Sequence, residues 1–130
     1  MDQPTSPPTS RTTTGALLAR FSDAIDTQAW DDLADLLAPA FRGAYVHTGE
    51  TFDRDAFVAL NRDYPGSWRF EREALVDGGD QAVLRARVSD ATGASDEVHY
   101  VATFAASRDG RLTEITEVWA EVAAPDPTRR

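Results

Sequence analysis

The stretch Leu112 to Val122 reads Leu-Thr-Glu-Ile-Thr-Glu-Val-Trp-Ala-Glu-Val and holds the residue with the most chemical promise in this chain. In a strand alternate residues share a face, which puts Glu117 beside Ile115 and Trp119 and sends Thr116, Val118 and Ala120 to the other side. A carboxylate among apolar neighbours is costly to bury in a packed core and makes sense beside a cavity that receives a polar ligand. Burial there would raise its pKa towards neutrality and make Glu117 a usable acid or base. The plain alternatives are exposure, or an ion pair with Arg85 or Arg87. His47 shares strand parity with Tyr45, and an imidazole in that place could carry protons near neutral pH or simply end a strand half-exposed. Tyr45 and Tyr100 could donate hydrogen bonds to a carbonyl or enolate oxygen, or serve as packed aromatics with one partner for the hydroxyl. His99 and Tyr100 point to opposite faces, so only one of them meets the cavity.

Other side chains supply lining rather than chemistry. Trp119 is expected in the pocket, with Phe21, Tyr64 and Trp68 as aromatic companions, while Trp30 and Phe57 add to a set of which most must be core. Arg85 and Arg87 share the face of Ser89 and could bind an anionic ligand or lie on a solvated or subunit-facing surface.

Composition narrows the chemistry. All 13 basic residues are arginine, against 22 acidic residues and a net charge of −9. Without lysine there is no Schiff-base or pyridoxal-phosphate chemistry. Without cysteine there is no thiol nucleophile, disulfide or thiolate metal site. Two histidines, His47 and His99, exclude a multi-histidine metal centre but not a mixed histidine–carboxylate one. The acidic balance and the lack of a basic stripe argue against nucleic acid as a partner. No apolar run approaches the roughly 20 residues of a bilayer-spanning helix, and the N-terminus has no signal-peptide core, so a cytoplasmic protein with no membrane partner is expected.

These residues need elements to position them. Thr14 is placed to cap a first helix with Leu17, Leu18, Phe21, Ala24 and Ile25 at helical spacing. A second short helix starts at Trp30 or Asp31, turns Leu33, Leu36 and Leu37 inward, and ends at Pro39. Phe41–His47 reads as a strand, and Asp53 caps a third helix that Tyr64-Pro65-Gly66 stops. From Trp68 the period falls to two, giving strands near Trp68–Val76, Gln81–Val88, Glu97–Ala106 and Leu112–Val122 joined by hairpin turns. One α+β domain over residues 14–122 follows. Its three N-terminal helices pack on one face of a curved, mainly antiparallel sheet and leave a cone open at one end. Residues 1–13, rich in Pro, Thr and Ser, and residues 123–130 read as flexible tails.

Over Gly15 to Val122 the order of motifs resembles the nuclear transport factor 2-like superfamily, in its SnoaL-like, ketosteroid-isomerase-like branch. The carriers are Leu17-Leu18-Ala19-Arg20-Phe21, Trp30-Asp31-Asp32-Leu33, Leu37-Ala38-Pro39, Phe52-Asp53-Arg54-Asp55-Ala56-Phe57, and Asp109-Gly110-Arg111-Leu112 with Glu117-Val118-Trp119. The resemblance implies a cystatin-like α+β barrel, a homodimer formed through the sheet, and a small apolar organic ligand in the cone. It also implies activity without metal or cofactor, and it favours Tyr100 over His99 as the cavity-facing residue. The family hosts isomerases, cyclases, dehydratases, epoxide hydrolases and non-catalytic binding domains, so fold alone does not name the reaction. The catalytic tyrosine and two aspartates of ketosteroid isomerase correspond to Phe21, Tyr45 and either Tyr100 or Ala102, which speaks against that mechanism. The relay of limonene-type epoxide hydrolases would use Arg87 and Glu117, but Ser89 stands where the water-activating aspartate belongs. What remains is the looser SnoaL-like cyclase, isomerase or dehydratase pattern, with Glu117 as titratable centre, His47 as second proton carrier, and Tyr45 and Tyr100 orienting oxygen atoms. A non-catalytic ligand-binding or dimerisation domain is the competing expectation.

Overall fold

The computed structural model describes residues 12–124 and Thr128. The tails expected at 1–13 and 123–130 lie largely outside the described residues. The helix α1 (Thr14–Thr27) is capped by Thr13, whose Oγ1 accepts from the Ala16 amide. The cap sits one residue before Thr14, because Thr14 is itself buried and shares a hydroxyl–hydroxyl hydrogen bond of 2.5 Å with Ser107. The next helix, α2 (Trp30–Leu36), ends before Pro39 is reached, and the chain passes directly into β1 (Leu37–Tyr45). Pro39 therefore stands inside a strand, at the irregularity between Leu37 and Arg42 where the pairing of β1 lapses and a missing N–H costs least. A short β2 (Thr51–Phe52), which periodicity did not reveal, folds back on β1 before Asp53 caps α3 (Arg54–Arg62) through the Ala56 amide.

The remaining strands fall within two residues of expectation: β3 (Trp68–Asp77), β4 (Gln81–Asp90), β5 (Val98–Arg108) and β6 (Arg111–Glu121). They form one six-stranded sheet in the order β2-β1-β6-β5-β4-β3. Only β1 and β6 run parallel, so the sheet is mixed, curved and unclosed. The helices cover its concave face. Leu17, Phe21, Phe41, Phe57, Leu84 and Ile115 fill the space between as a core with at most 1% exposure each. Among the described residues no helix is long and apolar enough to cross a membrane.

Two carboxylates lash α1 to the sheet. At its start Asp77 accepts from the Thr13 hydroxyl at 2.6 Å and the Gly15 amide at 3.1 Å. Near its end Asp26 accepts from the Phe70 amide at 2.8 Å and from Arg69 Nε at 3.0 Å. Burial alone would push the Asp26 carboxyl up, but these hydrogen bonds hold it below the ordinary range.

Contact between α3 and β1 depends on the absence of a side chain. A Cβ on Gly43 would lie 3.0 Å from Phe57 and 3.2 Å from Phe41, so only glycine lets the Phe57 ring settle 5.2 Å from that of Phe41. Gly43→Val is expected to push α3 off the sheet and lower stability by about 1–3 kcal/mol in urea denaturation. An unchanged unfolding midpoint would show that α3 is not seated through this contact.

Candidate functional site

At the open end of the cone lies a cavity of about 600 Å³. Its walls come from the C-terminal end of α1 (Ile25, Gln28), the start of α2 (Trp30), the last turn of α3 (Leu60, Asn61, Arg62), and the ends of the strands. The volume suits one mid-sized organic molecule.

Trp68 is placed by the loop before it. Its Nε1–H donates to the Pro65 carbonyl at 2.9 Å, and Gly66, at φ +95°, leaves the room that a Cβ would take from that nitrogen. Tyr64, the expected companion, reaches the cavity rim with most of its surface in solvent and its ring 6.4 Å from that of Trp68. The chain of rings continues through His99, 6.5 Å from Trp68 and 6.4 Å from Trp119. On the opposite wall Tyr45 stacks on His47 at 5.4 Å and meets Phe52 edge-on at 5.1 Å. Tyr45, His47, Tyr64, Trp68 and Trp119 thus line one cavity.

Glu117 stands behind that wall rather than on it. Its exposure is 3%, and it is not among the cavity-lining side chains. Thr103 donates to Oε2 at 2.8 Å and the Trp119 indole N–H donates to Oε1 at 3.0 Å. Among the described residues no arginine reaches it, and Arg85 and Arg87 are on the other face of the sheet. Burial pushes the Glu117 carboxyl up, with the hydrogen bonds from Trp119 and Thr103 opposing. Tyr45 is its register partner across the parallel β1–β6 pair, and burial, together with the charge of Glu117, raises the phenol well above its ordinary value.

Four expected site residues sit elsewhere. Phe21 is wholly buried in the core against Phe57 and Phe70, one layer below the cavity. Arg85 and Arg87 face away from the helices and pair with Glu73 at 3.4 Å and Glu71 at 3.6 Å. Tyr100 shares that outer face, and His99 is the residue that meets the cavity. The cause is a bulge. The β5–β6 hairpin begins with Arg108 opposite Arg111, and without interruption it would set Tyr100 against Trp119. An extra residue near Thr113 shifts the register, so that Val101 opposes Trp119 and His99 opposes Glu121. Sequence reasoning also missed Asn61, Gln28 and Glu121. Gln28 had no signal at all, whereas Glu121 follows from alternation within β6, two positions beyond Trp119.

Residues 18–115 match the SnoaL-like domain family. Among solved structures the chain is similar to a proposed ketosteroid isomerase from Kribbella flavida DSM 17836, at 28% identity over 89% of this chain and 84% of that one, with a TM-score of 0.79. It is also similar to an epoxide hydrolase of M. tuberculosis (14% identity, 85% and 86% covered, TM-score 0.69). A third likeness is a proposed polyketide cyclase of Sinorhizobium meliloti (20% identity, 78% and 92% covered, TM-score 0.65). The last two likenesses show the fold alone. No curated protein matches the chain.

A carboxyl whose pKa is higher in the folded chain contributes stability below its unfolded value, and that contribution is lost as pH rises through the folded value. For Glu117 the loss begins near the ordinary value of 4.5. Gln can keep both contacts, its oxygen accepting from Trp119 and its amide donating to Thr103. The stability of Glu117→Gln relative to the parent is therefore expected to climb above about pH 4.5, by at most about 1.4 kcal/mol per pH unit. Asp26 and Asp77 cancel in this difference. Urea denaturation of both proteins from pH 4 to 8 measures it, and a pH-independent difference would contradict a raised pKa.

Proposed function

The chain belongs to the SnoaL-like domain family, and from that membership and the form of its cavity we propose that it binds a small, largely apolar organic molecule. It would transform that molecule by acid/base chemistry of its own side chains, in the manner of a cyclase, isomerase or dehydratase. One observation carries this reading: Glu117 is a buried carboxyl with no cationic partner among the described residues, held directly behind the cavity wall. A fold gains no stability from such a group, so its placement points to use.

The roles follow from position. Tyr45 keeps its proton through the neutral range, because its phenol is held well above the ordinary value. It is thus a fixed donor to a ligand carbonyl or enol oxygen. His47, exposed at the rim and stacked on Tyr45, is the second polar group placed to meet a ligand there. Trp119 is the gate: when its indole turns, it releases Glu117 Oε1 and opens the carboxyl to the ligand. No metal or cofactor enters this acid/base scheme. A second reading, a ligand-binding domain without catalysis, is favoured by one fact: both Glu117 oxygens are already satisfied from within.

A second copy of the chain is the proposed protein partner. The outer face of the sheet exposes Phe104 at 51% and Val118 at 40%, a pair of apolar side chains that a homodimer would cover.

Two experiments test these proposals. Tryptophan fluorescence titration with a panel of polycyclic phenols and cyclic enones identifies ligands, and turnover of each binder is followed chromatographically. For a compound that is turned over, Glu117→Gln is expected to lower kcat by about 10²-fold or more while leaving ligand affinity within roughly threefold. Full turnover by this variant removes Glu117 from the chemistry, whereas binders that are never transformed support the binding-domain reading instead. Sedimentation of the parent should give a dimer and of Phe104→Glu a monomer, whereas a monomeric parent removes the proposed partner.

A further inference from the structure

Three ligating side chains that the acid/base scheme leaves unused converge at the cavity mouth: Glu97, His99 and Glu121, with one ligand atom from each lying within 4.8 Å of the others. Strand geometry brings them together. The register shift in β5–β6 sets His99 directly opposite Glu121. Glu97 lies just before β5, and its carboxylate reaches the same side as the His99 ring. His99 Nε2 is already 3.5 Å from Glu97 Oε2. The imidazole is braced edge-on between the rings of Trp68 and Trp119. Among the described residues no arginine pairs with either glutamate. Surrounding charge, −9 over the chain, also favours a cation.

We propose that Glu97, His99 and Glu121 form a binding site for a first-row divalent transition-metal ion, zinc being the best fit, at the mouth of the cavity. One imidazole nitrogen with two carboxylate oxygens is the donor set of such ions, whereas magnesium and calcium prefer oxygen throughout. Four-coordinate bonds of about 2.1 Å place ligand atoms roughly 3.4 Å apart. The His99–Glu97 pair meets that spacing, and the exposed Glu121 side chain can close the remainder by rotation. Three protein ligands leave a position open. His99 and Glu121 line the cavity, so the open position faces the space where a ligand oxygen would sit. This site is separate from Glu117, whose partners are Thr103 and Trp119.

The test uses untagged, full-length protein stripped with chelator and dialysed, titrated with Zn²⁺ by calorimetry and with Co²⁺ by visible absorption and tryptophan quenching. One ion per chain at micromolar affinity or tighter is expected. Loss of outer-shell partners alone costs about 10–100-fold at metal sites. His99→Ala, Glu97→Gln and Glu121→Gln should therefore each weaken binding at least about tenfold, while His47→Ala binds as the parent does. Circular dichroism checks each fold, and should His99→Ala unfold, the two glutamate variants at exposed positions decide. Binding only at millimolar Zn²⁺, parental affinity in the glutamate variants, or loss of binding in His47→Ala would overturn the proposal. None of these readouts depends on turnover, so the metal site and the acid/base reading stand or fall separately.

Discussion

The β5–β6 hairpin leaves its turn with Arg108 opposite Arg111 and Ser107 opposite Leu112, then gains a residue near Thr113, so that Ala106 opposes Glu114. The faces that β5 presents to the cavity and to the outside depend on that shift. Because strand side chains alternate, a slip of one residue exchanges every side chain between the concave and convex faces. With the bulge, Thr103 comes opposite Glu117 and can donate to it, and Val101 and Ala105 join the core. His99 then reaches the cavity, and Tyr100 and Phe104 are left on the outer face. Without it the buried carboxyl would lose its hydroxyl partner, at a cost on the order of 1–3 kcal/mol or more for a charged group.

The closed end of the cone is built to hold that arrangement still. Phe57 is the hub of an aromatic cluster, with ring centroids 5.2 Å from Phe41, 6.2 Å from Phe21 and 6.3 Å from Phe52. Phe52 passes the contact to Tyr45, and Tyr45 passes it to His47. A continuous line of rings thus runs from the deepest core to the rim, along which apolar packing gives way to hydrogen-bonding capacity. Interiors at crystal-like density transmit displacement rather than absorb it. The position of Tyr45 beside Glu117 is therefore set by packing as distant as Gly43 and Phe57.

Much of this could be read from residue order. Helical spacing, Asp53 as a cap and the glycine-bearing turns located nearly every element, because each rests on local backbone preference. The parity of Ile115, Glu117 and Trp119 was also readable, since it depends only on alternation within one strand. Relations between strands were not. The short β2 carries no periodicity of its own, and Pro39 looked like a helix stop because nothing local says that β1 tolerates an unpaired residue there. The bulge near Thr113 has no glycine to announce it, so the choice between His99 and Tyr100 could not be made from the hairpin turn alone. For the same reason Arg85 and Arg87 could be imagined near Glu117. Their parity within β4 was plain, but the face it corresponded to was decided by pairing with β5.

Glu117 marks the boundary between the packed core and the cavity wall, and its environment is the one on which the proposed acid/base role rests. Two neutral donors stabilise its charged form less than an arginine would, while burial disfavours that form. The balance leaves a carboxyl that can exist in either protonation state without tearing a salt bridge, which an ion-paired residue could not do. Trp119 is bound to it on one side and faces the cavity on the other, so any ligand that presses on the indole also alters the hydrogen bonding of the acid. In the proposed scheme, ligand occupancy and the proton affinity of Glu117 would be coupled through that one ring.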